Sequence, residues 1–359
     1  MKYSIIIPAF NEEKNLESWF GRFKCKRDDY EILIIDDGSV DKTLLVAEKI
    51  GEKNRHVRVM HQKNQGVSVA RNAGIYQARG EWIIFADADD VLRVNSLDIF
   101  DPYLDKDTEI IQANQIMYGQ NDNQNEKIFI EIPSFKIQKV LLNREKYKKE
   151  VADNQQQFFE SVHGVYGKAF RRDFLIENEI RFQEGLGLGE DILFYFDALA
   201  CTEKVILINE TVYEVVENKY SSTRTFNPKM QGYTIEFSRQ ITQRVVNSNK
   251  REMLWGDMCY QIYLHLDCGV INNLGYNFKM PIKRKKQILN NTMQCTEIKD
   301  AIRYLYIHRK CKGLINRKKE EFIIWLIQNQ MMGIYFALQN IKRRQDYLFN
   351  GLIRAEKNE

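Results

Sequence analysis

Short apolar runs rich in β-branched residues alternate with amphipathic stretches along the first ninety residues. Ser4-Ile-Ile-Ile-Pro8 reads as a strand ended by proline. Asn11 to Phe23 sets Leu16, Trp19, Phe20 and Phe23 at helical spacing, with Glu12 and Glu13 in the first turn. Tyr30 to Ile35 is a second strand. The turn Asp36-Asp37-Gly38-Ser39 and a helix to Ile50 follow, and Ser39 or Asp41 offers the helix cap. Val57 to Met60 is a third strand, Val67 to Ala78 a helix stopped at Gly80, and Glu81 to Ala86 a fourth strand. Strands separated by helices at this spacing predict an α/β fold with a mostly parallel central sheet.

Beyond Asp98 the periodicity weakens. Gly119 to Glu126 reads as a polar loop, Lys127 to Pro133 as an alternating strand, and Arg144 to Phe159 as mostly helical. Gly164 to Phe170 reads as a strand entering a helix near Arg172. Gly185-Leu-Gly-Leu-Gly-Glu190-Asp191 is a turn leading into an apolar helix from Ile192 to Ala200, and Lys204 to Ile208 and Thr211 to Val216 are two short strands. From about Pro228 the pattern is helical. The change divides the chain into an α/β domain over 1–225 and a helical, basic region over 226–359.

Charge sharpens that division. The net +4 of the whole chain conceals 18 lysines and arginines against 7 acids in residues 279–359, a net +11, which leaves the first 278 residues at −7. A basic tail on an acidic body points either to an anionic partner surface or to a solvated helical face. No aromatic platform accompanies Lys283-Arg-Lys-Lys286, which argues against nucleic acid. The six cysteines lack zinc-knuckle or redox spacing, as expected of free thiols in a reducing cytosol. The chain enters an apolar strand directly after Met-Lys-Tyr-Ser, so export is not expected and a cytoplasmic location is.

The densest chemistry lies in Asp87-Ala-Asp89-Asp90, directly after the apolar run Trp82 to Ala86. Three carboxylates at the end of a buried strand are costly unless something positive meets them. A hard divalent cation carrying a diphosphate is the simplest candidate. Open α/β sheets bind ligands at the carboxyl ends of their strands. The unusual residues fall at those ends: Pro8 to Asn11, Asp36-Asp37 and Asp87 to Asp90. Three separated segments are therefore expected to meet in one crevice.

The order Ile-Ile-Pro8-Ala-Phe-Asn11, Asp36-Asp37-Gly-Ser39, Asn64-Gln-Gly66 with Ala70-Arg71-Asn72-Ala-Gly74, Asp87-Ala-Asp89-Asp90 and Glu190-Asp191 resembles family 2 glycosyltransferases of the GT-A fold. The resemblance covers roughly residues 1–225. It implies an inverting enzyme that moves a hexosyl or N-acetylhexosaminyl group from a nucleotide sugar, UDP-linked, to a hydroxyl of a glycan or lipid-linked saccharide. By the same resemblance Pro8, Ala9, Phe10 and Asn11 line the nucleoside pocket, Asp37 accepts from uracil N3–H, and Gly66 and Arg71 complete the base and ribose side. Asp87 holds the ribose or donor sugar. Asp89, with Asp90 close by, ligates Mn²⁺ or Mg²⁺, and Asp191 is the catalytic base with Glu190 beside it. Elementary chemistry asks for the same parts: a cation for the leaving diphosphate, and a carboxylate away from it to take the acceptor proton.

His163, Tyr166 and Lys168 resemble the acceptor-side pattern of the family, with tyrosine where relatives often carry tryptophan, and Arg224 resembles a loop arginine that pairs with the diphosphate. A phosphate-switch module would leave Glu190-Asp191 and the long tail unexplained, and the intact acidic set counts against a non-catalytic nucleotide-sugar binder. A nucleotidyltransferase would need a glycine-rich, basic loop after the first strand, where Pro8-Ala-Phe-Asn11 stands. In the tail, Phe322 to Ile341 has no charged residue, and Ile323, Ile327, Met331, Ile334, Leu338 and Ile341 repeat at helical spacing between Arg317-Lys-Lys319 and Lys342-Arg-Arg344. Five amide side chains argue against a membrane span. Two readings stay open: a helix buried in a bundle or a homo-oligomer, and one lying peripherally on an anionic membrane at the inner face of the cell.

Overall fold

The computed structural model describes residues 1–105, 107–119, 129–148, 161–162, 164–216, 225–311, 314–315 and 317–342. It forms two compact units, Met1–Glu217 and Asn218–Glu359.

The first unit is built on a nine-stranded sheet. β1 (Tyr3–Ala9) pairs in parallel with β2 (Tyr30–Asp36) on one side and β4 (Trp82–Phe85) on the other, and β3 (Val57–His61) lies parallel outside β2. All seven residues of β2 are buried, which is why it reads as a continuous apolar run rather than an alternating one. Helices α1 (Glu13–Arg22), α2 (Thr43–Lys53) and α3 (Val67–Gln77) fall where the 3.6-residue spacing places them. Gly74 in α3 is a packing residue: a Cβ there would come within 2.4 Å of the Ile6 side chain on β1.

Past β4 the sheet becomes mixed, in the order β3-β2-β1-β4-β8-β6-β9-β5 with β7 also on β9. Here β5 is Val91–Leu92, β6 Ile110–Met117, β7 Phe129–Pro133, β8 Lys168–Arg171 and β9 Lys204–Val215. Short helices α4 (Ser96–Phe100), α5 (Ser134–Leu142), α6 (Arg144–Lys148) and α7 (Arg172–Glu177) intervene, and α8 (Glu190–Cys201) precedes β9.

Two elements, β6 and α5, lie where none was expected, and one expectation changes. β6 and α5 carry no clear period in the sequence. Gln112 and Asn114 of β6 are buried polar residues, and Gln112 earns its place by accepting from the Tyr195 hydroxyl at 2.8 Å. The two short strands expected at 204–208 and 211–216 are one strand, β9, because the polar Asn209-Glu210 pair sits opposite a register shift in β6 instead of in a turn. There the Asn114 amide donates to the Asn209 carbonyl at 2.9 Å. The loop expected at Gly119–Glu126 and the helix beyond Lys148 fall largely or wholly outside the described residues.

The second unit is helical throughout its described length: Met230–Asn247, Arg251–Leu266, a π-helical turn at Asp267–Asn272, Asn273–Tyr276, Ile282–Thr292, Thr296–Ile307, Lys318–Gln328 and 332–342. The uncharged tail segment is not one helix. It breaks at Gln330, whose φ of 57° is left-handed. The expected stripe divides accordingly: Ile323 and Ile327 are buried, whereas Met331, Ile334, Leu338 and Ile341 are exposed. No helix among the described residues is long and apolar enough to cross a membrane.

Candidate active site

The carboxyl ends of β1, β2 and β4 open onto one cavity of about 250 Å³. Pro8, Ala9, Phe10, Glu12, Asp37, Val67, Asp87, Ala88 and Asp89 line it. The loops around it are clipped together by side chains. Asn11 adopts a left-handed φ of 59°; its backbone N–H donates to Ser39 Oγ and its Oδ1 accepts from Val40 N–H, both at 2.9 Å. Ser39 therefore joins two loops rather than capping α2, while Asp41 Oδ1 accepts from the Thr43 N–H at 2.9 Å. Asp37, buried at 3% exposure, takes three hydrogen bonds from the loop before α3: Gln62 Nε2 and Gly66 N–H at 2.7 Å and Gln65 N–H at 2.9 Å. Gly66 is the residue that precedes α3, with a φ of 94°.

The acidic segment after β4 is held by two tyrosines whose rings stack at 5.1 Å. The Tyr166 hydroxyl donates to Asp87 Oδ2 at 2.6 Å. The Tyr213 hydroxyl accepts from the Asp87 N–H at 3.0 Å and donates to Asp90 Oδ2 at 2.9 Å. Asp90 Oδ1 accepts from the Val216 N–H at 2.8 Å, so both of its oxygens are occupied by β9 and its end. Burial first, and then the charges of Asp87 and Asp89, push the Asp90 carboxyl up to about 7. Oxygens of Asp87, Asp89 and Asp90 nevertheless lie within 4.8 Å of one another. An all-carboxylate donor set of this kind fits a hard divalent cation. Glu12, overlooked in the sequence because it reads as a first-turn acid of α1, also faces the cavity, and burial raises its carboxyl.

Arg71, expected on the base and ribose side, lies behind the cavity wall instead. Its side chain is 3% exposed; Nη2 reaches Asp87 Oδ1 at 3.2 Å and the Tyr166 hydroxyl at 2.6 Å, and Nη1 reaches Glu190 Oε1 at 3.1 Å. Its guanidinium also lies 5.1 Å from the centre of the Phe182 ring. The adjacent Asn72 pairs with the backbone of Phe182 in both directions, at 2.8 and 3.0 Å.

Glu190 and Asp191 open α8 after a left-handed Gly189. Both carboxyls are raised, chiefly by burial, and Arg71 works against the rise in each. Asp191 Oδ1 accepts from the Ile192 N–H at 2.8 Å. Gly164 leaves room for the other oxygen, since a Cβ there would stand 3.3 Å from Asp191 Oδ2. Lys168, expected on the acceptor side, is wholly buried; its Nζ donates to the Ser161 carbonyl at 2.9 Å and lies 4.7 Å from the Tyr195 ring centre. Burial lowers it to about 7. His163 and Arg224 lie outside the described residues.

Residues 4–177 match the family described as Glycosyl transferase family 2. Among curated proteins, the chain is similar to a cholesterol galactosyltransferase of Borreliella burgdorferi, 29% identical over 217 residues, which is 59% of each chain. Alignments to the first two curated relatives span 59% and 64% of those proteins' own lengths. Among solved structures, residues 1–349 of S. aureus TarS in complex with UDP-GlcNAc match with a TM-score of 0.65 at 18% identity, covering 96% of this chain and 92% of that one. The mannosyltransferase PcManGT of Pyrobaculum calidifontis, in complex with GDP-Man and Mn²⁺, matches with a TM-score of 0.50 at 14% identity, covering 95% and 87%. At these identities the two structures speak for the fold.

Proposed function

We propose that the protein, whose residues 4–177 match Glycosyl transferase family 2 and whose fold matches that of TarS, transfers a sugar from a uridine diphosphate donor to a hydroxyl of a glycan or lipid-linked saccharide, with inversion. The observation that carries this reading is the convergence of three strand ends on one cavity where Glu12, Asp37, Asp87 and Asp89 all present carboxylates. A diphosphate cannot enter such a field unaided, because like charges at close range repel strongly where solvent is partly excluded. A divalent cation, Mn²⁺ or Mg²⁺, held by Asp89 with Asp87 or Asp90 beside it, would supply the charge that meets the leaving diphosphate.

The chain's own residues do the rest. Pro8, Ala9 and Phe10 form the wall against which a nucleoside lies, with Asn11 fixing its loop. Asp37, already holding the loop from Gln62 to Gly66, retains acceptor capacity for a base N–H. Asp87 is oriented to accept from a donor hydroxyl. Asp191 takes the proton of the acceptor hydroxyl as its oxygen bonds to the anomeric carbon and the bond to the diphosphate breaks. Glu190, tied to Arg71, supports that face.

Titration calorimetry with UDP, with and without Mn²⁺, is the first test. Binding in the presence of Mn²⁺ that is lost with a chelator is expected. Equal affinity without metal would remove the cation from the account, and tighter binding of GDP or CDP would remove uridine. A panel of UDP sugars in a donor-hydrolysis assay then identifies the sugar.

A further inference from the structure

The contacts around Arg71 run in a chain from one side of the site to the other. Glu190, beside the base, bonds to Nη1; Asp87, on the cavity wall, bonds to Nη2; and the Tyr166 hydroxyl bonds to both Nη2 and Asp87. The direction of each bond follows from the groups involved. Arginine only donates and an ionised carboxylate only accepts. The one proton of the Tyr166 hydroxyl is therefore committed to Asp87 Oδ2, and its lone pair to Arg71. Stacking on Tyr213, itself bonded to Asp90 and to the Asp87 N–H, fixes the ring. Arg71 is buried and cannot leave either carboxylate without stranding a charge.

We propose that Arg71 and Tyr166 are positioning residues that hold the donor-side carboxylate Asp87 and the base-side carboxylate Glu190 in fixed spatial relation. A displacement on one side is then transmitted to the other. The proposal takes the meaning of the two sides from the glycosyltransferase reading, whereas the wiring stands without it. Tyr166 is the informative position, because phenylalanine keeps the ring stack and deletes only the bridging hydroxyl.

Two measurements test the proposal. In thermal unfolding without ligand, Tyr166→Phe, Glu190→Gln and the double variant should be non-additive, with the second substitution shifting the melting temperature by less than half of what it does alone. Additive shifts would overturn the wiring, whatever the protein transfers. In donor hydrolysis with UDP-GlcNAc and UDP-galactose as probes, Tyr166→Phe should reduce kcat/KM by about tenfold or more, the size of a lost bond to a charged group. The loss should be shared between a higher donor KM and a lower kcat. If Tyr166→Phe lowers the melting temperature but leaves both constants at wild-type values, the pair is structural only and the positioning role falls. If the wild-type protein turns over neither probe and binds no UDP, the glycosyltransferase reading is what fails, and the unfolding cycle still decides the wiring.

Discussion

If Asp191 is the base, as proposed, folding and chemistry pull in opposite directions there. Burial raises its carboxyl, yet a base must be ionised to act. Because protonation removes the base, turnover should fall as pH drops through the raised titration of the Glu190–Asp191 pair. The acid limb of kcat is then expected above the ordinary aspartate value of about 3.9. A limb at or below that value would place the base elsewhere. Asp191→Asn should reduce transfer by about a hundredfold or more while leaving UDP affinity in Mn²⁺ nearly unchanged, because a general base acts in the transition state. Asp89→Asn should instead weaken UDP binding and slow turnover together, as read by calorimetry and a transfer assay. Asp37, Asp87 and Asp89 were legible in the sequence because strand ends announce themselves by position, whereas Glu190 and Asp191, which open a helix, were reached through the resemblance. The buried place of Arg71 between Asp87 and Glu190 was not. Its partners lie 16, 95 and 119 residues away, and no local pattern shows that Arg71 points into the protein.

Among the elements, the four parallel strands were legible because β-branched runs between helical stretches have few other solutions. β6 was hidden by its polar residues, whose partners come from α8 and β9. α3 carries a sharper expectation. With Gly74 against Ile6, Gly74→Val must push the helix off β1, and a loss of about 1–3 kcal/mol is expected in denaturant unfolding. An unchanged midpoint would mean that α3 has slack. In the second unit, Phe322 and Trp325 stack at 6.1 Å, and Phe322 lines a groove of about 440 Å³ with Tyr335, Leu338, Lys319 and Lys342. Apolar side chains rimmed by lysines suit an anionic lipid surface, where each nearby basic residue contributes about 1 kcal/mol. Sedimentation with phosphatidylserine vesicles is expected at low salt, diminished by Trp325→Ala and by raised salt. A mass that doubles with concentration, with no vesicle binding, would assign the face to a second copy of the chain.

For the whole molecule, the family match ends at residue 177, while the first compact unit runs on to Glu217. The difference contains α8 and β9, and with them Glu190, Asp191 and Tyr213. A fragment of residues 1–225 is expected to melt cooperatively and to bind UDP with Mn²⁺, whereas 1–177 should do neither. Circular dichroism and calorimetry on the two fragments check this.

The same arrangement has a consequence for synthesis. Tyr213 emerges from the ribosome 123 residues after Asp90, whose carboxylate it holds. At roughly 5–20 residues per second, that is an interval of about 6–25 seconds. The first four strands can pair as soon as they emerge, but the outer edge of β4 then stays open until β8, Lys168–Arg171, arrives. An open edge invites wrong pairing. Nascent chains of this protein should therefore engage chaperones most strongly between the emergence of β4 and that of β9, and slowing translation across that stretch should lower the yield of folded protein.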